Sequence, residues 1–242
     1  MKSPWLAAVG VPGPLMDRLA TRLGFPSIAR LDAQPPQSCM LLLHEMTEVA
    51  LEPVLIHPYL AYIECRGDAD EDAVAAILAT LTADQFGMAM STRTAFSLEA
   101  ARLVCDALTS RAVLPPSLRP AVELALHEIV ANAIIHGNLA MDQQFKDDPE
   151  LFGQFCELLN ERLNDTPAGQ RWIQITANWT DDWIKVSVID QGKGFTQKPA
   201  ATPVDVEKPY GRGLGIAAEL ASAVTISDGG RRTTLRFDTR DA

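Results

Sequence analysis

The sequence predicts an α+β protein, whose C-terminal part forms a two-layer sandwich of helices on a mixed, mainly antiparallel sheet. One observation is the order of segments after residue 87, which runs helix, helix, strands, helix, strands and does not alternate as a parallel fold does. A second is a pair of alternating apolar and polar runs, at residues 172–178 and 183–190, whose short polar connection is typical of an antiparallel hairpin. A third is the chain before residue 87, whose pattern predicts a small α/β module.

The N-terminal module is predicted from short apolar runs that alternate with segments of helical spacing. The predicted elements are, in chain order, residues 5–11 (strand), 15–23 (helix), 40–43 (strand), 60–63 (strand) and 72–81 (helix). Residues 33–38, rich in Pro and Gln, and the stretches around Pro53 and Pro58 are predicted loops or strand edges. The change of pattern that follows predicts two domains, at residues 1–86 and 89–242.

The C-terminal domain begins with an alternating run at residues 88–93, which predicts a strand. Ser97 then stands where an N-cap would open a helix over residues 98–111. The next helix keeps its apolar residues three to four positions apart from Leu118 onward and is closed by Gly137. The remaining predicted elements are helices at 149–163 and 216–222 and strands at 223–227 and 233–237.

Composition limits the classes of function. The 242 residues are 47% apolar, which is enough for a core, and the formal net charge of -10 repels nucleic-acid phosphates and anionic lipid headgroups. We therefore expect no nucleic-acid partner and no membrane partner. The chain has no run of about 18 apolar residues and no apolar signal stretch near its N-terminus, so we expect a cytoplasmic protein. Its four scattered cysteines are expected to be free, mainly buried thiols.

Glu128 and Asn132 lie four residues apart on the predicted helix that ends at Gly137, so their side chains leave it on the same face. His136 continues this row. Carboxylate and amide oxygens are ligands that Mg²⁺ accepts, and a carboxylate can also take a proton from an attacking hydroxyl. The alternative interpretation of the pair is a solvated helix face, which is the commoner origin of this spacing.

Asp190 ends the second strand of the predicted hairpin, and Gly192 and Gly194 follow it. Glycines let the backbone turn sharply and approach a flat ligand closely. The carboxylate could then accept a hydrogen bond from an exocyclic amine, such as that of adenine. The alternative interpretation is an ordinary hairpin turn.

A third segment, Gly211-Arg212-Gly213-Leu214-Gly215, precedes a predicted helix. Backbone N–H groups at a helix start suit a phosphate, and the helix dipole and a guanidinium add to the attraction. The segment lacks the Gly-Lys-Ser/Thr ending of a Walker loop and does not follow a first strand, as a dinucleotide fingerprint does. Each of the three signals is common alone, but their order and distances fit one nucleotide-binding domain.

Together these segments resemble the GHKL ATPase superfamily of gyrase, heat-shock chaperones and histidine kinases. Residues 128–133 with His136-Gly137-Asn138 resemble its N box, residues 190–195 its first glycine box, and residues 211–215 its second. The sequence HEIVANAIIHGN and the short connector between the glycine boxes look most like those of the anti-sigma-factor serine kinases of bacterial stress and sporulation control. The resemblance covers residues 89 to 238.

The resemblance implies ATP and Mg²⁺ as cofactors and assigns roles to single positions. Asn132 would ligate Mg²⁺ with Glu128 beside it, Glu128 would act as the general base or orient the attacking group, and Asp190 would bond the adenine amine. Further nucleotide contacts are implied at Gly192 and Gly194 around adenine, at Arg212, Gly213, Leu214 and Gly215 along the triphosphate, and at Thr233 or Thr234 on the last strand. Two departures from the compact kinases are an insertion at 139–169 and about 86 extra N-terminal residues.

The N-terminal module has the rhythm of a receiver domain without its phosphorylation chemistry. A phosphorylatable receiver needs an acidic pair after its first strand, an aspartate after its third and a lysine later. Here no acidic pair follows Val9-Gly10-Val11, a later run ends in His44-Glu45-Met46, and no lysine occurs between Lys2 and Lys146. We expect at most a degenerate receiver, used for dimerisation or partner binding.

Three hypotheses of function remain open. The first is a regulatory serine/threonine kinase of the anti-sigma-factor type, for which the resemblance implies a small anti-anti-sigma-like substrate, a sigma factor as a further partner, and a homodimer. The second is a two-component protein, histidine-kinase-like or phosphotransfer, in which His44 is a candidate acceptor. The third is a non-catalytic module whose conformation ATP binding sets.

Overall fold

One nine-stranded sheet runs through both predicted domains. The computed structural model describes residues 4–28, 39–55, 59–82, 85–141, 152–164, 166–194 and 212–240. The strands in these residues are β1 (Trp5–Val9), β2 (Ser27–Ile28), β3 (Cys39–Leu43), β4 (Ala61–Glu64), β5 (Gln85–Ser91), β6 (Trp172–Trp179), β7 (Trp183–Ile189), β8 (Ala223–Ser227) and β9 (Arg232–Asp238). Their order across the sheet is β2-β1-β3-β4-β5-β6-β7-β9-β8.

The helices connect these strands and cover the sheet. They are α1 (Gly13–Leu23), α2 (Glu48–Leu55), α3 (Glu71–Thr80), α4 (Thr92–Ser97), α5 (Ala100–Ser110), α6 (Arg119–Asn132), α7 (Phe152–Asn164) and α8 (Arg212–Leu220). A π-helical turn, Ala133–Asn138, continues α6. Short 3₁₀ turns lie at Asp68–Asp70, Pro167–Gln170 and Asp228–Gly230.

The first five strands are parallel and follow the order β2-β1-β3-β4-β5, as in flavodoxin-like sheets. Helices α1 and α3 pack on one face through side chains such as Leu19 and Leu78, whereas α2 packs on the other face through Leu51 and Leu55. The crossovers β3-α2-β4 and β4-α3-β5 each lead to the next strand in the same direction across the sheet, but their helices lie on opposite faces. One crossover is therefore right-handed and the other left-handed. A regular doubly wound sheet would place both helices on one face.

We call the chain before β5 the N-terminal half and the chain from β5 onward the C-terminal half. The C-terminal half covers the face of β4 and β5 that α3 does not occupy. The guanidinium of Arg111, which follows α5, lies 4.9 Å from the centroid of the Phe86 ring and donates to the carbonyl oxygen of Tyr59. The hydroxyl of Ser110 donates to Leu55 O (3.2 Å). The helix layer of the C-terminal half therefore extends onto the parallel strands.

Strand β5 belongs to both halves of the sheet. On one edge it pairs in parallel with β4, from Ala61 opposite Gly87 to Ile63 opposite Ala89. On its other edge all 7 of its residues pair with β6 in antiparallel register. Residues 86 to 89, where the sequence pattern changes, therefore lie inside one continuous strand.

The C-terminal half has the predicted two-layer α+β architecture. In the part of the sheet with the order β5-β6-β7-β9-β8, every pair of neighbouring strands is antiparallel. Strands β6 and β7 form the predicted hairpin. Helices α5, α6 and α8 pack on one face through buried side chains such as Leu103, Leu126 and Ala217. The opposite face carries half-buried polar side chains such as Thr176 and Lys185, which is why the strands alternate in polarity.

The region around Ser97 corrects a prediction. Ser91, at the end of β5, caps the short helix α4, and its hydroxyl accepts from Thr94 N (3.3 Å). Ser97 is instead the last residue of α4, and its hydroxyl donates to Thr94 O (2.9 Å). The predicted helix 98–111 exists as α5, without a side-chain cap. The loop predicted at 33–38 and the start of the helix predicted at 149 lie outside the described residues.

Candidate functional site

A cavity of about 290 Å³ lies between the end of α6, the end of β7, the start of β9 and α8. Its walls come from segments far apart in the chain: Ile129, Asn132, Ala133, His136, Gly137, Val188, Asp190, Gly194, Leu214, Gly230 and Thr233. Asn132 and Asp190, 58 positions apart by their numbers, therefore line one cavity. This is the geometry that a shared ligand requires.

Asp190 follows β7 and is held by the backbone around it. Its N–H donates to Arg231 O (3.0 Å), and its Oδ1 accepts from Gly192 N (2.7 Å). A Cβ at Gly137 would lie 2.7 Å from Asp190 Cγ, and a Cβ at Gly192 would collide with Gly137 O. Both positions require glycine, because only bare backbone fits against the carboxylate.

The electrostatic environment of Asp190 is divided. Burial raises the pKa of its carboxyl above the ordinary value, while the Gly192 N–H and the guanidinium groups of Arg231 and Arg171 act in the opposite direction. The net shift is upward. A carboxylate that has lost water without gaining a full ion pair retains acceptor capacity for a ligand donor.

Glu128 and Asn132 lie at the other end of the site, where α6 packs against α8. A Cβ at Gly213 would lie 2.5 Å from Glu128 Oε2 and 3.2 Å from Asn132 Nδ2. Both side chains are half-buried, so the interpretation as a solvated helix face does not hold. Asn132 also borders the cavity, whereas Glu128 lies beyond it, next to the first turn of α8.

The π-helical turn shapes the wall between these two ends. Leu139 N donates to Ile134 O (2.9 Å), five residues back, so the turn is wider than in an α-helix. His136 Nδ1 lies 3.1 Å from Met141 O, which holds the imidazole at the rim. The widened turn brings Gly137 against Asp190, and such turns occur frequently at functional sites.

The far wall is built from turns at the ends of β7 and β9. Gly194 (φ 70) approaches so closely that a Cβ there would collide with Gly229 O. Thr233 lines the cavity. Thr234 faces away from it, and its hydroxyl lies 2.8 Å from Ser187 Oγ on the neighbouring strand. Of the two threonines considered for the site, the structure brings only Thr233 to it.

The remaining predicted residues belong to the second glycine segment. Leu214 lines the cavity, and Gly215 has open space at its Cβ position. Arg212 begins α8, but its side chain and residues 195–211 lie outside the described part. Site residues that were not predicted are Ile129, Ala133 and Val188, which form the apolar wall, and Gly230. The three apolar residues show only the pattern that every buried helix and strand shares, and Gly230 shows only a Gly-Gly turn before the last strand.

A larger groove of about 650 Å³ lies elsewhere, between α4, α5 and the start of α6. It is bordered by Phe96, Leu98, Arg102, Arg119, Leu124 and His127. None of the predicted site residues reaches it, and its charged side chains are occupied in ion pairs such as Arg119 with Asp106. The smaller cavity is the better candidate, since it combines apolar walls with a desolvated carboxylate.

The smaller cavity fits a flat, polar-edged ring followed by a charged group. Its volume is near the lower end of small-molecule sites, about 300 Å³. Apolar walls would cover the faces of a ring, and Asp190 would accept from an amine on its edge. At the other end, Asn132 at the cavity edge and Glu128 beyond it could offer two oxygen ligands for a hydrated Mg²⁺ beside the N-terminus of α8.

The described residues contain neither a grouped metal site nor a membrane-spanning helix. No three His, Cys, Asp or Glu side chains among them are grouped to hold a metal ion, so an ion at Glu128 and Asn132 would be completed by water and phosphate oxygens. None of the helices in the described part combines the length and hydrophobicity that crossing a bilayer requires.

Comparison with known proteins identifies a family. The family model described as a histidine kinase-like ATPase domain matches residues 90–238, from the end of β5 through β9. This range contains every residue of the cavity. No curated protein matches the chain.

Proposed function

The chain belongs to the family of histidine kinase-like ATPase domains, and from that premise we propose that it is a regulatory serine/threonine kinase of the anti-sigma-factor type. It binds ATP with Mg²⁺ and phosphorylates a small partner protein. The observation that carries this proposal is the single site formed by Asp190 at one end and by Asn132, Glu128 and Gly213 at the other. The carboxylate of Asp190 suits adenine at one end, and the residues beside the start of α8 suit phosphates at the other.

Recognition of adenine rests on Asp190. The carboxylate accepts a hydrogen bond from the exocyclic amine, and Gly137, Gly192 and Gly194 let the backbone around it pack closely enough to hold it in place. The apolar side chains of Ile129 and Val188 exclude water from the ring faces. Because burial has already raised the pKa of Asp190, the carboxylate gains more from a donor than an exposed carboxylate would.

Phosphoryl transfer rests on the residues at the start of α8. Asn132 and Glu128 would hold the metal, and the backbone N–H groups at the N-terminus of α8 would bind the triphosphate. Bound Mg²⁺ neutralises negative charge on the phosphates. Glu128 accepts the proton of a serine or threonine hydroxyl, whose oxygen forms a bond to the γ-phosphorus. The bond from that phosphorus to the β–γ bridging oxygen breaks, and ADP leaves.

The N-terminal half carries the regulatory part of the proposal. Its strand order is that of a receiver, but it has no acidic pair after β1 and no lysine after Lys2. We assign it to binding a partner or a second copy of the chain, with an anti-anti-sigma-like substrate and a sigma factor as the partner classes.

A second candidate function is phosphotransfer through His44, whose buried Nδ1 would have to become accessible to accept a phosphoryl group. His44 follows β3, and its N–H donates to Val9 O (3.0 Å). His44 Nδ1 is the one buried side-chain nitrogen or oxygen without a hydrogen-bond partner among the described residues. A two-component protein would carry an acid-labile phosphate at this position.

The test is incubation with γ-labelled ATP, Mg²⁺ and candidate partner proteins, followed by acid treatment. The proposal expects an acid-stable phosphoserine or phosphothreonine on the partner, lost with Glu128→Gln although nucleotide still binds. Calorimetry with Asn132→Ala should show loss of mainly the metal-dependent part of ATP binding. Acid-labile label on His44 would support the second candidate, and tight ATP binding without any phosphoprotein would support a non-catalytic module.

A further inference from the structure

Asn138 is completely buried, and every polar atom of its side chain is bonded. Its Oδ1 accepts from Gln191 N (2.6 Å), directly after Asp190. Its Nδ2 donates to Trp172 O (3.0 Å) and to the hydroxyl of Thr92 (2.8 Å). One side chain thus connects the π-helical turn, the start of β6, the first turn of α4 and the loop that carries Asp190.

Thr92 extends this connection to the shared strand. Its hydroxyl, which is buried with the rest of the side chain, donates to Arg171 O (2.9 Å) and accepts from Asn138. Its N–H donates to the same carbonyl oxygen (2.7 Å). Thr92 directly follows Ser91, the last residue of β5.

Glu64, the last residue of β4, continues the connection into the N-terminal half. It is 4% exposed, and its two carboxylate oxygens accept from Ser91 N (2.6 Å) and from the Thr94 hydroxyl (2.7 Å). The carboxylate therefore fixes the first turn of α4, which presents the Thr92 hydroxyl to Asn138. Buried hydrogen bonds of this kind determine geometry because each unpaired group would be costly.

We propose that Glu64, Thr92 and Asn138 are positioning residues of the nucleotide site, through which the N-terminal half holds the Asp190 loop in the geometry that selects adenine. The proposal rests on ATP binding by the proposed kinase. No residue of the three contacts the cavity, so they act through the Gln191 backbone.

The test compares ATP with inosine triphosphate, which has an oxo group where ATP has the amine. Both dissociation constants are measured by calorimetry with Mg²⁺ on the full chain. Wild type is expected to prefer ATP by about 10- to 100-fold, because the oxo group leaves Asp190 without a donor. Thr92→Val and Glu64→Gln are each expected to lower this preference by about 3- to 10-fold. A general loss of stability would weaken both nucleotides equally and leave the ratio unchanged.

Two matched controls separate positioning from damage. Thr92→Ser keeps the hydroxyl and is expected to retain the wild-type preference, whereas Thr92→Val keeps the shape and loses the bond. Asp70→Asn changes a second buried acid of the N-terminal half, which binds Arg66 and not α4, and is also expected to retain the preference. Equal preference in Thr92→Val and Thr92→Ser would overturn the proposal.

A second measurement is independent of nucleotide. The Gln191 amide donates to Asn138, so its hydrogen exchange in the free protein is expected to speed up at least about threefold in Thr92→Val and Glu64→Gln. Unchanged exchange would also overturn the proposal. Wild-type protein that binds no ATP, with Gln191 exchange responding as expected, would instead remove the proposed kinase and the nucleotide role while establishing the hydrogen-bonded connection.

Discussion

Asp190 combines partial burial with a charge, which gives its stability effect a definite sign. Because its pKa is raised in the folded protein, the ionised carboxylate destabilises the free protein at neutral pH, and this penalty disappears as the pH falls. Without nucleotide, we expect the Asp190→Asn variant to melt at the same temperature as wild type or higher at pH 7. The difference between the two melting temperatures should become smaller towards pH 5. The amide can still accept from Gly192 N.

The same variant is expected to lose its response to nucleotide. Thermal melting with excess Mg-ATP should raise the melting temperature of wild type and leave that of Asp190→Asn nearly unchanged, since the amide repels or misplaces the adenine amine. A variant that melts well below wild type without ligand would contradict the assigned pKa direction. A variant stabilised by ATP as strongly as wild type would contradict the role of Asp190.

The four cysteines are free, and they divide by exposure. Cys39, Cys65 and Cys105 are buried, and burial raises the pKa of their thiols to about 12, 11 and 12, whereas Cys156 on α7 is exposed. Since the thiolate is the reactive form, we expect a thiol reagent at pH 8 to label one cysteine per folded chain and four after unfolding. Cys156→Ser should remove the fast label, and labelling of a second thiol would show that the core opens.

Single residues with a local signature could be predicted from the sequence. Glu128, Asn132, Asp190 and the glycines after it stand in short motifs whose spacing indicates their chemistry. Thr92 and Glu64 have no such signature, and Asn138 stands in the HGN segment without a local sign of its partners. The bonds of all three join positions whose separation in the chain is set by the tertiary fold. Their importance becomes visible only when the strand order is known.

Helix α8 contributes a prediction at the scale of an element. Its first turn packs against α6 so closely that Gly213→Ala would place a Cβ 2.5 Å from Glu128 Oε2. We expect this variant to weaken Mg-ATP binding by more than about tenfold, because either Glu128 or the helix start must move. Gly153→Ala on α7, where the Cβ meets open space, is the matched control and should bind as wild type does. Calorimetry checks both, and equal affinities would contradict the close packing.

Other elements differed in how far the sequence could specify them. The β6–β7 hairpin was predictable because two alternating runs with a polar connection have few other solutions. Helix α4 was not, because its six residues are too few to show a period, and the apolar run of β5 extends close to it. The π-helical turn was also unpredictable, since one widened turn leaves the apolar spacing of a helix almost unchanged.

At the scale of the whole molecule, the sheet was beyond what the sequence could specify. Apolar runs indicate strands but not their neighbours, so the pairing of β5 with both β4 and β6 had no local signal. The opposite handedness of the last two parallel crossovers also departs from the usual rule.

Removal of the N-terminal half tests this arrangement. A chain of residues 85–242 would expose the edge of β5 that pairs with β4, together with side chains such as Phe86 that the parallel strands help to cover. We expect this fragment to melt at a lower temperature than the full chain and to self-associate, because an open edge strand pairs readily. Melting and size-exclusion chromatography check it. A monomeric fragment as stable as the full chain would show that the halves are thermodynamically independent.

Because both halves of the sheet include strand β5, no hinge lies between them. Nothing resembling a tether separates the parallel region from the antiparallel one, so neither can swing as a rigid body while the other stays still. A change in the N-terminal half can then reach the nucleotide site through small shifts of the shared sheet and of the hydrogen bonds that Glu64 makes. The nucleotide pocket lies only a few strands away.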